Sequence, residues 1–167
     1  MALTTSQLNT LKAAILAETD QAFVEYRTNG QNTLMAAFFN QDASPAFKVW
    51  RTKVSRAEIY NLTSAEATTW SWTFYKNQSA VEQNAWVQMF MGDQADFSQA
   101  NLRAGIAVIF TSASAANATH SLAIAKRSAT RAEKLYATGT GSVASPATMV
   151  FEGNVTDRDV QLALELP

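Results

Sequence analysis

The sequence holds one histidine, His120. A general base needs a hydrogen-bonded partner and a site to act on. A lone histidine with no ordered serine and aspartate around it predicts neither, so it reads as an exposed or half-buried helix residue. Gly92, Asp93 and Asp96 are the nearest approach to a carboxylate metal loop. They lack the alternating acidic positions, central glycine and closing bidentate glutamate of a calcium loop. Turn chemistry accounts for them, because Asp stabilises turns and caps helices. No metal and no cofactor is expected. The phosphate-cradle, dinucleotide, zinc-protease and nucleophile-elbow patterns do not occur. Gly139-Thr140-Gly141 follows a helical segment rather than a strand, so it reads as a linker. Cysteine is absent, which removes disulfides, thiolate nucleophiles and cysteine-rich zinc sites together. The expectation is a protein that is not an enzyme.

Two groups of basic residues remain. Lys48, Arg51, Lys53 and Arg56 crowd the stretch after Pro45; Lys126, Arg127, Arg131 and Lys134 fall in the second half. Charged helix faces are ordinarily just solvated. The sharper readings are pairing to an acidic neighbouring subunit or exposure toward DNA, and the spacing leaves these open. The 13 Lys and Arg against 14 Asp and Glu give a net charge of −1. Proteins that hold nucleic acid by neutralising phosphates usually show a basic excess, and that class loses ground.

The elements that must carry these residues are mostly helical by pattern. At 167 residues the chain fits one domain with an arm, and a hydrophobic share of 47% suffices for a core. Met1-Ala2-Leu3-Thr4-Thr5 has neither the basic nor the apolar region of a signal peptide. The longest apolar run, around Gly105 to Phe110, is far short of the ~20 residues needed to cross a bilayer. A soluble protein made in a reducing cytoplasm is the expectation.

Thr4-x-x-Gln7 predicts a capping box, Leu3 and Leu8 a hydrophobic staple, and Leu8, Leu11 and Ile15 a helical stripe ending near Glu18. A short helix from Asp20 to Tyr26 should break at Asn29-Gly30. Leu34, Met35, Phe38 and Phe39 mark another buried helical turn. Phe47 to Val54 alternates and predicts a strand or an extended link after Ser44-Pro45. Ser55-x-x-Glu58 opens a brief helix through Tyr60. Propensity favours a strand over Thr68 to Tyr75, while tertiary packing could make it a helix. Ser79-x-x-Glu82 starts a helix carrying Trp86, Met89 and Phe90, stopped at Gly92. Ser98 is placed to cap a helix with Leu102, Ile106, Ile109 and Phe110.

The longest helix is expected from Asn117 to Ala137, closed by Gly139. Its inner face would be Ala118, Leu122, Ala125, Ala129, Ala132 and Tyr136, with the second basic group opposite. Composition then turns linker-like from Gly139 to Pro146. Thr148 to Phe151 reads as extended, and Thr156-x-x-Asp159 starts a last helix with Val160 and Leu164 inward. A helix this short needs tertiary contacts. The fold class is thus mainly α: a helical bundle, with a short β-hairpin an option over 47–75. Residues 1–138 form its core domain and residues 139–167 a linker and docking arm. Met149, Val150, Phe151, Val160 and Leu164 would bind a partner by ordering on contact, so deleting everything after Gly141 should leave a folded body.

Three stretches resemble a family from tailed-phage and prophage structural gene clusters. They are Val49-Trp50-Arg51-Thr52-Lys53-Val54, then Ala125-Lys126-Arg127-Ser128-Ala129-Thr130-Arg131-Ala132-Glu133, and the run from Gly139 to Gly153 continuing to Asp159-Val160-Gln161. The family is that of head–tail connector, or adaptor, subunits. The resemblance implies a small helical bundle arranged as a ring, commonly of twelve copies, beneath the portal protein. Such a ring extends the DNA channel, meets a downstream tail or stopper protein, and touches packaged DNA without sequence preference. It implies a place in the neck of the virion after synthesis in the host bacterial cytoplasm, no membrane, and no catalytic residue. Another virion component (a stopper, tail terminator or capsid-decorating protein) is the alternative from the same world. A small helical nucleic-acid-binding regulator is the alternative from another.

Overall fold

A computed structural model describes residues 3–167, so the N-terminal reading that began at Met1 and Ala2 lies partly outside the described residues. In chain order the elements are α1 (Thr5–Ala17), α2 (Gln21–Thr28), α3 (Asn32–Phe39), β1 (Lys48–Trp50), β2 (Val54–Ser55), α4 (Arg56–Asn61) and α5 (Trp72–Lys76). Then follow α6 (Ala80–Gln88), β3 (Gln94–Ala95), α7 (Ala100–Ile109), α8 (Ala115–Ile124), β4 (Lys126–Ser128), α9 (Arg131–Tyr136) and α10 (Asp157–Glu165). The fold is mainly α. β1 pairs with β4, and β2 pairs antiparallel with β3 with Val54 opposite Ala95.

The division into core and arm is not the one the packing makes. Among the described residues one compact unit comprises 3–49 and 128–167, the other 50–127. The chain passes between them in β1 and in β4.

In the first unit the Thr4–Gln7 capping box forms, and Leu8, Leu11 and Ile15 are buried. Asp20 caps α2, its side chain accepting from the Phe23 amide. Phe23, Phe38 and Phe39 meet at ring-centroid distances of 4.6 to 5.8 Å, tilted or edge-on, the geometry that aromatic quadrupoles favour. The tail completes this core. Phe151, Val155, Val160 and Ala163 are buried among residues of α1, α3 and α9, and α10 packs on α1 and α3. The Asn40 amide clamps the approach to α10: Nδ2 donates to the Val155 carbonyl at 2.8 Å, and Oδ1 accepts from the Val155 amide at 2.9 Å.

Tyr136 gives the first unit an alkaline limit. Its hydroxyl donates to the Gln7 carbonyl at 3.1 Å. Burial, and after it the Asp159 carboxylate, pushes its phenol from 10.0 up to about 12. A folded-state value above the unfolded one favours the neutral form. The stabilisation is complete below pH ~10 and is lost as pH rises from there to about 12. Tyr136→Phe should flatten the alkaline fall of helical circular dichroism; an unchanged alkaline midpoint would remove this role.

The expected long helix does not form. α8 ends at Ile124, Lys126–Ser128 pair as β4, and a new helix starts at Arg131. Two causes compete with helix continuity. The strand β1 offers unpaired backbone groups that Lys126–Ser128 satisfy. Thr130 and Glu133 form a capping box of their own, and such a box specifies a start rather than a middle. Most of the expected inward set survives the break: Ala118, Ala125, Ala129, Ala132 and Tyr136 are buried, while Leu122 is only half-buried.

The second unit packs Trp70, Trp86, Phe90, Phe97, Ile106 and Phe110 around Val54 and Ile59. The capping boxes at Ser55–Glu58 and Ser79–Glu82 both form. α7 begins at Ala100, with Gln99 rather than Ser98 at its N-cap position. The strand-rich composition of 68–75 yields an extended lead into α5, because Ser71 caps that helix by accepting from the Phe74 amide.

Candidate functional site

His120 is fully buried, which corrects the expectation of an exposed or half-buried residue. Its Nε2 lies 2.7 Å from the Ile59 carbonyl and its Nδ1 3.0 Å from the Thr68 hydroxyl. A carbonyl can only accept, so in the neutral ring Nε2 carries the hydrogen and Nδ1 accepts from Thr68. Asn117, one turn earlier, binds the Ser71 backbone at both ends of its amide, at 2.9 and 3.0 Å. Ser121 donates to the Asn117 carbonyl at 2.7 Å. This polar face of α8 ties down residues 59–71 and positions the aromatic side chains that follow. Alternation of Asn117, His120 and Ser121 at helical spacing was its only trace in the sequence.

What it positions is a cleft of about 580 Å³ lined by Arg56, Tyr60, Asn61, Trp72 and Asp93. Trp72 opens α5, and 55% of its surface is exposed. Its ring stands 4.7 Å from Tyr60, 5.8 Å from Tyr75 and 6.1 Å from Trp70. Tyr60 is anchored from behind by the Trp86 indole, which donates to its hydroxyl at 2.9 Å. Burial pushes the Tyr60 phenol up, so at neutral pH it stays an uncharged wall. Arg56 reaches Asp93 at 3.5 Å across the cleft. Leu62, Val81, Met91 and Val108 of the same unit are exposed as well. The cleft thus offers an exposed aromatic surface beside one loosely paired Arg–Asp couple.

The basic residues scatter. Arg51 pairs with Glu58 and donates to the Ile124 carbonyl at 3.3 Å. Burial opposes ionisation of Glu58, but hydrogen bonds from Ser55 and Arg51 outweigh it and hold the carboxyl below the usual range. Lys126 pairs with Glu66 at 2.9 Å. Lys48 donates to the Ser128 hydroxyl at 3.1 Å, and Lys53 is exposed in the turn between β1 and β2. Arg127 is half-buried on β4. Arg131 and Lys134 lie on α9, in the first unit, beside Phe38 and Phe47 respectively. They therefore form no single stripe along one helix.

The partner-binding set is also redistributed. Phe151 and Val160 are buried in the first unit, and Leu164 packs against the same core. Met149 packs beside Val49, Ala129 and Ala147. Val150 alone of the five is exposed. Phe151 and Val160 are thus covered fully, and Met149 and Leu164 in part, within their own chain.

Asp96 acts as turn chemistry requires, accepting from the Ser98 amide at 2.9 Å. Among the described residues no group of three or more His, Asp and Glu could hold a metal ion, and no helix is long and apolar enough to cross a membrane. Comparison with family models, with curated proteins and with solved structures returned no match to this chain.

Proposed function

We propose that the chain is a structural subunit of a phage head–tail connector ring, bridging portal and tail in the virion neck. The sequence resemblance supports this reading, and the observation that carries it is the half-exposed Trp72 on its aromatic floor. Isolated surface aliphatics are ordinary, but an indole held open on a preformed cleft resembles the anchors that dominate protein interfaces. The assembly surface then lies in the second unit rather than in the tail, whose Phe151, Val155, Val160 and Ala163 are already buried in the first core. The regulator alternative is less well supported, because Arg51, Arg56 and Lys126 each face a carboxylate and so offer little free charge to phosphates.

Light scattering and sedimentation test the reading. The native chain should form a large ring alone or with the portal protein. Trp72→Ala should lower the yield of that ring at least tenfold, the effect of losing about 1.4 kcal/mol or more at an interface anchor. Its circular dichroism should be unchanged. A chain that stays monomeric alone and with portal protein would end the connector reading. Tight, salt-dependent DNA binding by that monomer would favour the regulator.

A further inference from the structure

Arg131 sits in an unusual state. Its guanidinium lies 3.9 Å above the Phe38 ring, and its Nε–H is buried with no hydrogen-bond partner. The nearest carboxylate oxygen, Glu18 Oε2, is 3.9 Å from Nη1, beyond hydrogen-bond length. Glu18 is occupied elsewhere, its Oε1 accepting from the Thr19 and Asp20 amides at 2.9 and 3.0 Å. Buried donors in folded proteins are nearly always satisfied, so this fork of donors is poised rather than spent.

Arg131 is also one of the residues that line a cleft of about 410 Å³ within the first unit. Lys134 and Glu18 share the rim, while Ala14, Phe39 and Leu135 form apolar walls. Two cations against one carboxylate leave room for a single negative charge. The planar fork of an arginine matches a carboxylate in two-point geometry. Apolar walls lower the local dielectric and strengthen such a pair, and they reward a ligand that carries an apolar group beside its charge.

We propose that this cleft binds a monocarboxylate attached to an apolar group, with Arg131 gripping the carboxylate, Lys134 adding charge, and Phe39 and Leu135 covering the apolar part. Two sources present this chemistry: a small aryl carboxylic acid, and an acidic residue next to a hydrophobic one in a peptide. The inference does not depend on the connector reading.

The test uses the full chain, nitrogen-labelled, and follows the Arg131 Nε–Hε resonance. Four probes are titrated: phenylacetate, its neutral isostere phenylacetamide, inorganic phosphate, and the peptide acetyl-Phe-Glu-amide. Phenylacetate or the peptide should shift the resonance saturably, and whichever binds more tightly identifies the source. Phenylacetamide and phosphate should leave it in place. Lys134→Gln should weaken the affinity by about two- to fivefold, as loss of a half-exposed ion pair does, with the fold intact. No saturable shift from either carboxylate would overturn the site. An equal shift from phenylacetamide or from phosphate would overturn it too, because charge and apolar body would then not be read together.

Discussion

Truncation after Gly141 should unfold the first unit rather than release a stable helical body. The deletion removes Phe151, Val155, Val160 and Ala163, all buried against α1, α3 and α9. Burying one large apolar side chain is worth about 1.5 to 3 kcal/mol, and a whole domain is stable by only about 5 to 15 kcal/mol. The deletion also strips Asn40 of both bonds to Val155 and Lys12 of its 2.6 Å bond to the Leu166 carbonyl. Helical circular dichroism should fall by more than the nine residues of α10 explain. A point substitution makes the same claim without shortening the chain. Val160→Asp places an unpaired carboxylate at a fully buried position, which costs several kcal/mol or neutralises the group. A truncated chain that still melted cooperatively with α1 to α3 helical would show that the tail is dispensable after all.

Trp86→Ala should be the most damaging single truncation in the second unit. Trp86 is fully buried, stacked on Trp70 at 5.4 Å and set edge-on to Phe90 at 4.8 Å and Phe110 at 5.1 Å. Truncations of this kind cost about 3 to 5 kcal/mol. The change also removes the donor that anchors Tyr60, so the Trp72 cleft should loosen with it. All four tryptophans fall within residues 50–127. Tryptophan fluorescence in a denaturant series therefore reports this unit alone. The midpoint should drop sharply for Trp86→Ala and less for Trp86→Phe, which keeps most of the apolar contact. A midpoint unmoved by the alanine variant would contradict the packing described.

Local signals proved readable wherever the physics is local. The capping boxes at Thr4, Ser55, Ser79 and Thr156 all form as spaced, because a hydroxyl and an acceptor three residues on satisfy orphaned amides whatever surrounds them. Thr130-x-x-Glu133 carried the same signature, and the alanine seam around it masked the signal. The candidate site was far less legible. Trp70 and Trp72 lie in the stretch whose propensity favours a strand, yet nothing in their spacing separates a buried indole from an exposed one two residues away. His120 was misplaced for a related reason. Its burial depends on an Ile59 carbonyl and a Thr68 hydroxyl that lie 61 and 52 residues distant in sequence.

The amino-acid order by itself determined the helical class, the starts of α1, α2, α4, α6 and α10, and the burial of the alanines at 118, 125, 129 and 132. Capping and periodicity act within a turn or two, so neighbours in sequence suffice. Tertiary structure decided that 126–128 extend, that the tail closes the first core, that Asn40 and Asn117 act as clamps, and that Trp72 and Arg131 are left with open faces. Each of those outcomes turns on which distant backbone or ring occupies the space beside a side chain. Burial free energy depends on that occupant and not on the intervening sequence.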